Sequence, residues 1–555
     1  MTLCAPAAAV LLAAAAAAGA PKEQAFAPVF TGRPPADAVM GLVRLPSGEI
    51  RHYNYNEHAD SEDALYMVSF DGGMTWERRL LRPGAQGADA RSPVSGEYMR
   101  MSRGQVIRSK GGIDGAWEAR RIDAGSCGGP RPLVFTRGGR RALFACSSQL
   151  KSGTLYSDDD GLSWKRSNLV GAPPHRPGGV HKSARWQNGA VEPVVVEMKD
   201  GRVWMLMRTS HDTLYESFSR DGGASWEEAR PSRFYSTLTM PTVGRLSDGR
   251  ILLVWNNTTP LPEVERGESH KFFVGYGAIE GSWEDVFTNR DAIHAAISSD
   301  EGKTWHGFRE LYLNERRNDA DYAVAGTTSQ HDDRSVHQNQ FVESGDGSVL
   351  VSLGQHWMQR ALVKFHPDWL LEKKRANRFE NGLADWSVHM YVAGIRGHCA
   401  FNRQPGASLV DHPDRPGQKA LLIRRVADRS LTSENQGAVW NFPAGLAGSL
   451  TVRVRHEKGG QGGRISLLDR WVNPGDPVVT EYSMFDLTAP GDGAASGGIR
   501  LTPGRWHEIR FEWDGLREKG ADRCRVLVDG VPQKAGLPLN RASVNGISYV
   551  HLQSI

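Results

Sequence analysis

The sequence predicts an all-β protein, a six-bladed β-propeller followed by a β-sandwich, from three observations. One eight-residue pattern recurs four times between residues 69 and 305. Alternating apolar and polar runs with glycine turns lie between the copies. Beyond about residue 375 the pattern stops, while alternating strands continue.

Length and composition come first. A chain of 555 residues is too long for one ordinary core and suits two large β domains. With 39% hydrophobic and 23% charged residues, 62 Gly and 16 Trp, it is neither disordered nor built of membrane spans. The formal charge of +4 is small, and Lys and Arg are interspersed with Asp and Glu. No basic stripe marks a nucleic-acid partner. No transmembrane segment is expected, and nothing in the sequence indicates an oligomeric state.

The apolar run from Ala7 to Ala18 is about as long as a signal-peptide core and too short to span a bilayer. Residues 1–20 are therefore expected to direct export to a secreted or periplasmic location, with cleavage between Ala18 and Ala27. A disordered Ala-rich tail is the alternative, because the first residues carry no Lys or Arg and Pro21 hampers cleavage after Ala20. Cys4 would leave with the leader. Cys127, Cys146, Cys399 and Cys524 remain, two in each domain, so bridges within domains and free buried thiols both stay open.

The repeat reads Ser-x-Asp-x-Gly-x-(Thr/Ser)-Trp at Ser69–Trp76, Ser157–Trp164, Ser219–Trp226 and Ser298–Trp305. A degenerate copy, Ser109–Trp117, keeps the Gly turn and the Trp but shifts the Asp. Each copy makes sense as a hairpin loop. Asp accepts backbone and hydroxyl hydrogen bonds, Gly takes the left-handed turn, and Trp packs between neighbouring sheets. Four-stranded blades are expected near residues 38–80, 91–123, 130–168, 190–230, 240–308 and 335–366, with seven blades as the alternative to six. The boxes should lie away from the central cavity.

These loops resemble the Asp-boxes of the sialidase superfamily, and the resemblance covers roughly residues 30–370 within a propeller of residues 28–370. The box itself implies fold rather than function. More specific is VEPVVVEMKDGRVWMLMRTSHDTLYESFSRDGGASW, similar to the sialidase segment that supplies a catalytic Glu and one arginine of a substrate-binding triad. The resemblance assigns those roles to Glu192 and Arg208. Glu192 would open the innermost strand at the propeller mouth, and Arg208 would leave the next strand at the same end. A guanidinium there can grip a carboxylate with two parallel hydrogen bonds. The plainer reading is a structural Glu–Arg pair between adjacent strands.

TNRDAIHAAISSDEGKTW resembles the blade-five region and nominates Arg290 as a second substrate-binding arginine. The family's first arginine has no counterpart, since Ala38, Val39 and Met40 stand where it is expected, and Arg33 or Arg44 could serve only from elsewhere. For the acid/base the resemblance points to NYNEHADSEDALY, in which Asp60 is the choice, Glu57 and Asp63 are rivals, and a solvated charge run is the alternative. The nucleophile is normally a Tyr, neutral because the carboxylate of sialic acid would repel an anion. Tyr322 and His337 compete for that place, and a His there would suit proton transfer near neutrality. His181, His337 and His356 fall beside expected inner strands, where isolated hydrogen-bonded histidines are favoured over a metal cluster. No metal or cofactor is expected.

After a charged connector, residues 376–555 read as alternating strands, as in GSLTVRVRHE, RWHEIRFEWDG and CRVLVDGVPQ. They resemble the laminin-G or concanavalin-like jelly rolls that accompany secreted glycosidases, some of which bind carbohydrate. The resemblance as a whole implies an exo-acting glycoside hydrolase, like an exo-alpha-sialidase, whose partner is a glycan ending in an acidic sugar. The alternatives are a hydrolase or lyase for another acidic sugar, such as a uronic acid, and a non-catalytic carbohydrate-binding propeller.

Overall fold

The computed structural model describes residues 9–13, 26–34, 40–53, 65–82, 84–102, 104–125, 127, 133–176, 185, 189–260, 289–319, 335–354, 360–391, 403–431, 433–491 and 499–555, the side chains of 9–13 and 520–522 excepted. Among them the helical elements are short 3-10 turns, and no helix is long and apolar enough to cross a membrane.

Six four-stranded antiparallel sheets form the blades. Blade one runs Leu42–Arg44, Ile50–Tyr53, Leu65–Ser69, Glu77–Leu80, and blade two Ala90–Arg91, Tyr98–Ser102, Gln105–Lys110, Ala116–Arg121. Val134–Phe135, Ala142–Ser148, Lys151–Ser157 and Lys165–Arg166 make blade three. Blade four is Ala190–Glu197, Val203–Thr209, Thr213–Ser219, Arg230–Tyr235; blade five is Thr242–Arg245, Ile251–Trp255, Ala292–Ser298, His306–Leu313. Blade six takes three strands in order, Asn339–Glu343, Val349–Leu353 and Ala361–Phe365. Its fourth comes from the other end of the propeller: Val29–Gly32 pairs antiparallel with Ala361–Phe365, Val29 opposite Lys364. The ring is thus closed by strand pairing between residues far apart in the chain.

Each box lies at the turn between the third and fourth strands of its blade, and its hydrogen bonds are the expected ones. Asp71 accepts from Ser69 Oγ at 2.8 Å, Thr75 N at 2.9 Å and Thr75 Oγ1 at 2.5 Å. Gly73 and Gly223 have φ of +93° and +90°, and a Cβ on either would stand 2.8 Å from a leucine of the preceding blade, Leu350 and Leu143 respectively. Glycine is required there twice over, by turn and by contact. The tryptophans fill the seams between blades: Trp226 Nε1 donates to Thr154 Oγ1 of blade three at 3.0 Å, and Trp305 lies 6.0 Å from Trp204 of blade four. Because strands alternate in direction, the third-to-fourth turns sit opposite the end where first strands begin. The boxes therefore lie at the end opposite the mouth, with their tryptophans packed between blades as expected.

The second domain is a sandwich of an eight-stranded and a five-stranded sheet around Trp386, Trp440, Leu467, Phe485, Phe511 and Val550. Ala9–Ala13, inside the segment expected to direct export, is here a strand of the larger sheet, between Lys419–Arg424 and Gly448–His456. An apolar run satisfies its backbone as well in a ladder as in any other fold, and two strand edges supply the partners. Propeller and sandwich share a buried cluster that includes Ala292, Val439, Trp471 and Tyr549. Cys127 and Cys146 form a disulfide in blade three, Cys524 is a buried free thiol, and Cys399 lies outside the described residues.

Candidate active site

In every blade the first strand begins, the second ends and the third begins at one common end, the mouth. Glu192 lies near the start of the first strand of blade four, and Arg208 near the end of the second. Their ladder is interrupted between Val191 and Val194, where Pro193 has no N–H to give. Glu192 takes up the irregularity with φ of +49°, an unusual value for a non-glycine residue. Two contacts hold it: its N–H donates to Ser147 Oγ of blade three at 2.8 Å, and its Oε2 accepts from Arg208 Nη1 at 2.5 Å. The Glu192 side chain is 24% exposed and that of Arg208 only 7%, so the carboxylate is the more accessible partner.

Arg290 lies two residues ahead of the third strand of blade five and is fully buried. It bridges to the mouth ends of two first strands. One Nη donates to the carbonyl of Leu238, ahead of the first strand of blade five, and Nη1 stands 3.3 Å from Nε2 of His337, ahead of that of blade six. A guanidinium cannot accept a hydrogen bond, so His337 Nε2 is the acceptor and its proton sits on Nδ1, facing Ser335 Oγ. His337 is thus a neutral imidazole in this arrangement. The next residue, Gln338, has φ of +55°, so a left-handed non-glycine residue stands at or beside the candidate group in both blades four and six. Strained backbone of this kind gathers at functional sites.

The structure thus brings four predicted residues to the mouth end in two pairs, Glu192 with Arg208 and Arg290 with His337. Tyr322, Asp60, Glu57, Asp63, His181 and His356 lie outside the described residues. At the start of blade one the backbone is held by Gln340 of blade six. Its Oε1 accepts from Gly41 N at 2.7 Å and Leu42 N at 2.9 Å, and its Nε2 donates to Leu42 O at 3.0 Å. Arg44 is exposed at the far end of its strand, and Arg33 donates to the carbonyl of Arg360 at 3.0 Å, at the mouth end of blade six.

A family described as BNR repeat-like domain matches residues 40–337, more than half of the chain. The chain belongs to the BNR repeat-like family. No curated relative matches by sequence. Solved structures that it resembles include a protein of unknown function from Dyadobacter fermentans, 18% identical, with TM-score 0.38, covering 62% of this chain and 97% of that one. Another is the NanB sialidase from Streptococcus pneumoniae, 11% identical, TM-score 0.37, covering 63% of this chain and 72% of that one. A third is the Trypanosoma rangeli sialidase in complex with 2,3-difluorosialic acid, 11% identical, TM-score 0.33, covering 93% and 88%. At these values the likenesses carry no functional argument.

Within this BNR-repeat propeller, two buried arginines at the mouth escaped sequence reasoning. Arg185 donates to the Ser210 carbonyl at 2.9 Å and pairs with Asp212 at 2.9 Å. Arg360 precedes the third strand of blade six, as Arg290 precedes that of blade five. Burial, with the Arg360 charge adding to it, pushes His52 down to about 3, and its Nε2 meets Ser352 Oγ at 2.8 Å. For Arg360 the one available signal was position, directly before a third strand; Arg185 had none. No group of three or more metal-ligating side chains occurs among the described residues.

Proposed function

We propose that the chain is an exo-acting glycoside hydrolase that releases a terminal acidic sugar, with sialic acid the first choice. One observation carries this reading: two buried arginines at the mouth end are each paired with a group that glycoside chemistry needs. A sugar carboxylate seeking two parallel hydrogen bonds competes with Glu192 for Arg208 and with His337 for Arg290. Binding would then release the Glu192 carboxylate and the His337 lone pair where the reaction uses them. In this scheme Glu192 is the base that activates the nucleophile, Tyr322 or His337, and Asp60 protonates the leaving group. The roles of Tyr322 and Asp60 rest on the resemblance.

A second reading, a hydrolase or lyase for a uronic acid, draws on two features. His337 is neutral with a lone pair on Nε2, as proton abstraction requires, and Gln340 rather than an arginine organises the start of blade one. Release of reducing sugar from a panel of sialylated and uronic-acid glycans separates the two. Glu192→Gln should lower turnover on the true substrate by roughly two to four orders of magnitude. Arg208→Lys should chiefly weaken binding. If neither variant alters any activity, the protein is instead a non-catalytic glycan-binding propeller.

A further inference from the structure

We propose that Arg403, in the two-stranded sheet that Met390–Tyr391 and Arg403–Gln404 form in the second domain, is a positioning residue for Arg290, so that the second domain is part of the propeller's site. The role given to Arg290 rests on the function proposed above; the contacts do not. Asp291 follows Arg290 and directs its carboxylate to the other side of the strand, where it is fully buried. The Arg403 guanidinium bonds Asp291 Oδ2 through Nη2, which also donates to Tyr391 Oη at 2.9 Å, while Nη1 donates to the Arg317 carbonyl at 3.2 Å. Charges so placed are 1% and 0% exposed, and removing either partner leaves the other with less compensation for its burial.

The same short segment is tied from two further directions. Asn314 N donates to the Asp291 carbonyl at 2.8 Å and Asn314 Nδ2 to Asp291 Oδ1 at 3.1 Å. On the mouth side, Val336 N donates to the Arg290 carbonyl at 2.9 Å. The peptide joining Arg290 and Asp291 is thus held between blade six and the sandwich. Side chains alternate along an extended segment, so the anchor that grips Asp291 on one face sets where Arg290 reaches on the other. Loss of Arg403 removes the hydrogen-bonded countercharge of a buried carboxylate and leaves only the Arg317 charge nearby, and the segment must shift or hydrate to relieve it. Shifts of about 1 Å at a substrate-orienting group cost up to roughly a hundred-fold in its effect.

The test uses the full chain with Arg403→Gln and Arg403→Lys, and Arg425→Gln, which breaks an exposed sandwich pair with Glu434, as control. Hydrogen exchange is read at the amides of Val336 and Asn314, and free sialic acid and free glucuronic acid are titrated as probes. Arg403→Gln should speed exchange at those two amides and leave blades one to three unchanged, Arg403→Lys should restore much of the protection, and Arg425→Gln should do nothing. Affinity for the probe that binds should fall about ten- to a hundred-fold in Arg403→Gln. Added to Arg290→Lys, the same substitution should cost little more, because Arg403 acts through Arg290. Unchanged exchange at both amides overturns the proposal, as does a full additive loss in the double variant. If wild type binds neither sugar, the carboxylate reading fails, and exchange still decides whether Arg403 holds the segment.

Discussion

Glu310 offers a quantitative test of how propeller and sandwich are joined. It is half-buried in the fourth strand of blade five, with Oε1 accepting from Tyr549 Oη of the sandwich at 2.9 Å and Oε2 buried without a partner among the described residues. Tyr549 in turn accepts from His294, whose Nδ1 takes the Asn257 N–H at 3.0 Å. Loss of solvent is the main cause that raises the Glu310 carboxyl from 4.5 to about 7, and the charges of Arg375 and Arg317 oppose it. For a carboxyl raised in the folded state the native protein holds the extra proton, so stability falls as pH rises between the two values. Each pKa unit is worth about 1.4 kcal/mol, so the ionised form costs the fold about 3 kcal/mol above pH 7 and almost nothing below pH 4.5. Glu310→Gln keeps the acceptor for Tyr549 and removes the titration; any cost of its new N–H groups is independent of pH. In urea unfolding, wild type should lose about 2 to 3 kcal/mol relative to the variant between about pH 5 and about pH 8. Parallel pH profiles for the two proteins would refute the reasoning.

Three further outcomes are expected. The Cys127–Cys146 bond closes a loop of 19 residues in sequence separation. Replacing both by Ala should lower stability by about 3 kcal/mol, seen as a fall in the thermal midpoint that reductant reproduces in wild type. In the box of blade three, burial pushes the Asp159 carboxyl up, but hydrogen bonds from Ser163 and Ser157 outweigh it and bring the group down to about 2. That contribution is complete above the ordinary carboxylate value and disappears as pH falls through about 2, so Asp159→Asn should flatten the acid-unfolding curve in that window. Side-by-side assay of Tyr322→Phe and His337→Ala should assign the nucleophile, because only one of the two should abolish a trapped glycosyl intermediate.

What could be read along the chain was what local chemistry enforces. A box is closed by contacts within eight residues, so Ser69–Trp76 and its three relatives announce their turn wherever they occur. Glu192 and Arg208 were legible together because a short hairpin sets them on adjacent strands. Which partner each would choose was not. The same spacing fits an arginine open to substrate and an arginine bonded to the glutamate beside it, and the structure has the bonded pair.

The sequence alone determined the all-β class, the repeated four-stranded unit and the box turn within each copy, because periodicity and turn chemistry act over a few residues. Six blades rather than seven took the sheets themselves. Only the tertiary structure decided the long-range matters. Val29–Gly32 closes blade six, Gln340 holds the start of blade one, Ala9–Ala13 joins the sandwich, and Arg403 meets Asp291 across 112 residues. None of these leaves a local trace, since a strand edge accepts any extended partner and a buried charge any countercharge. Selection among partners falls to the closed ring and the packed interface, which bring together groups whose separation in the chain carries no record of the meeting.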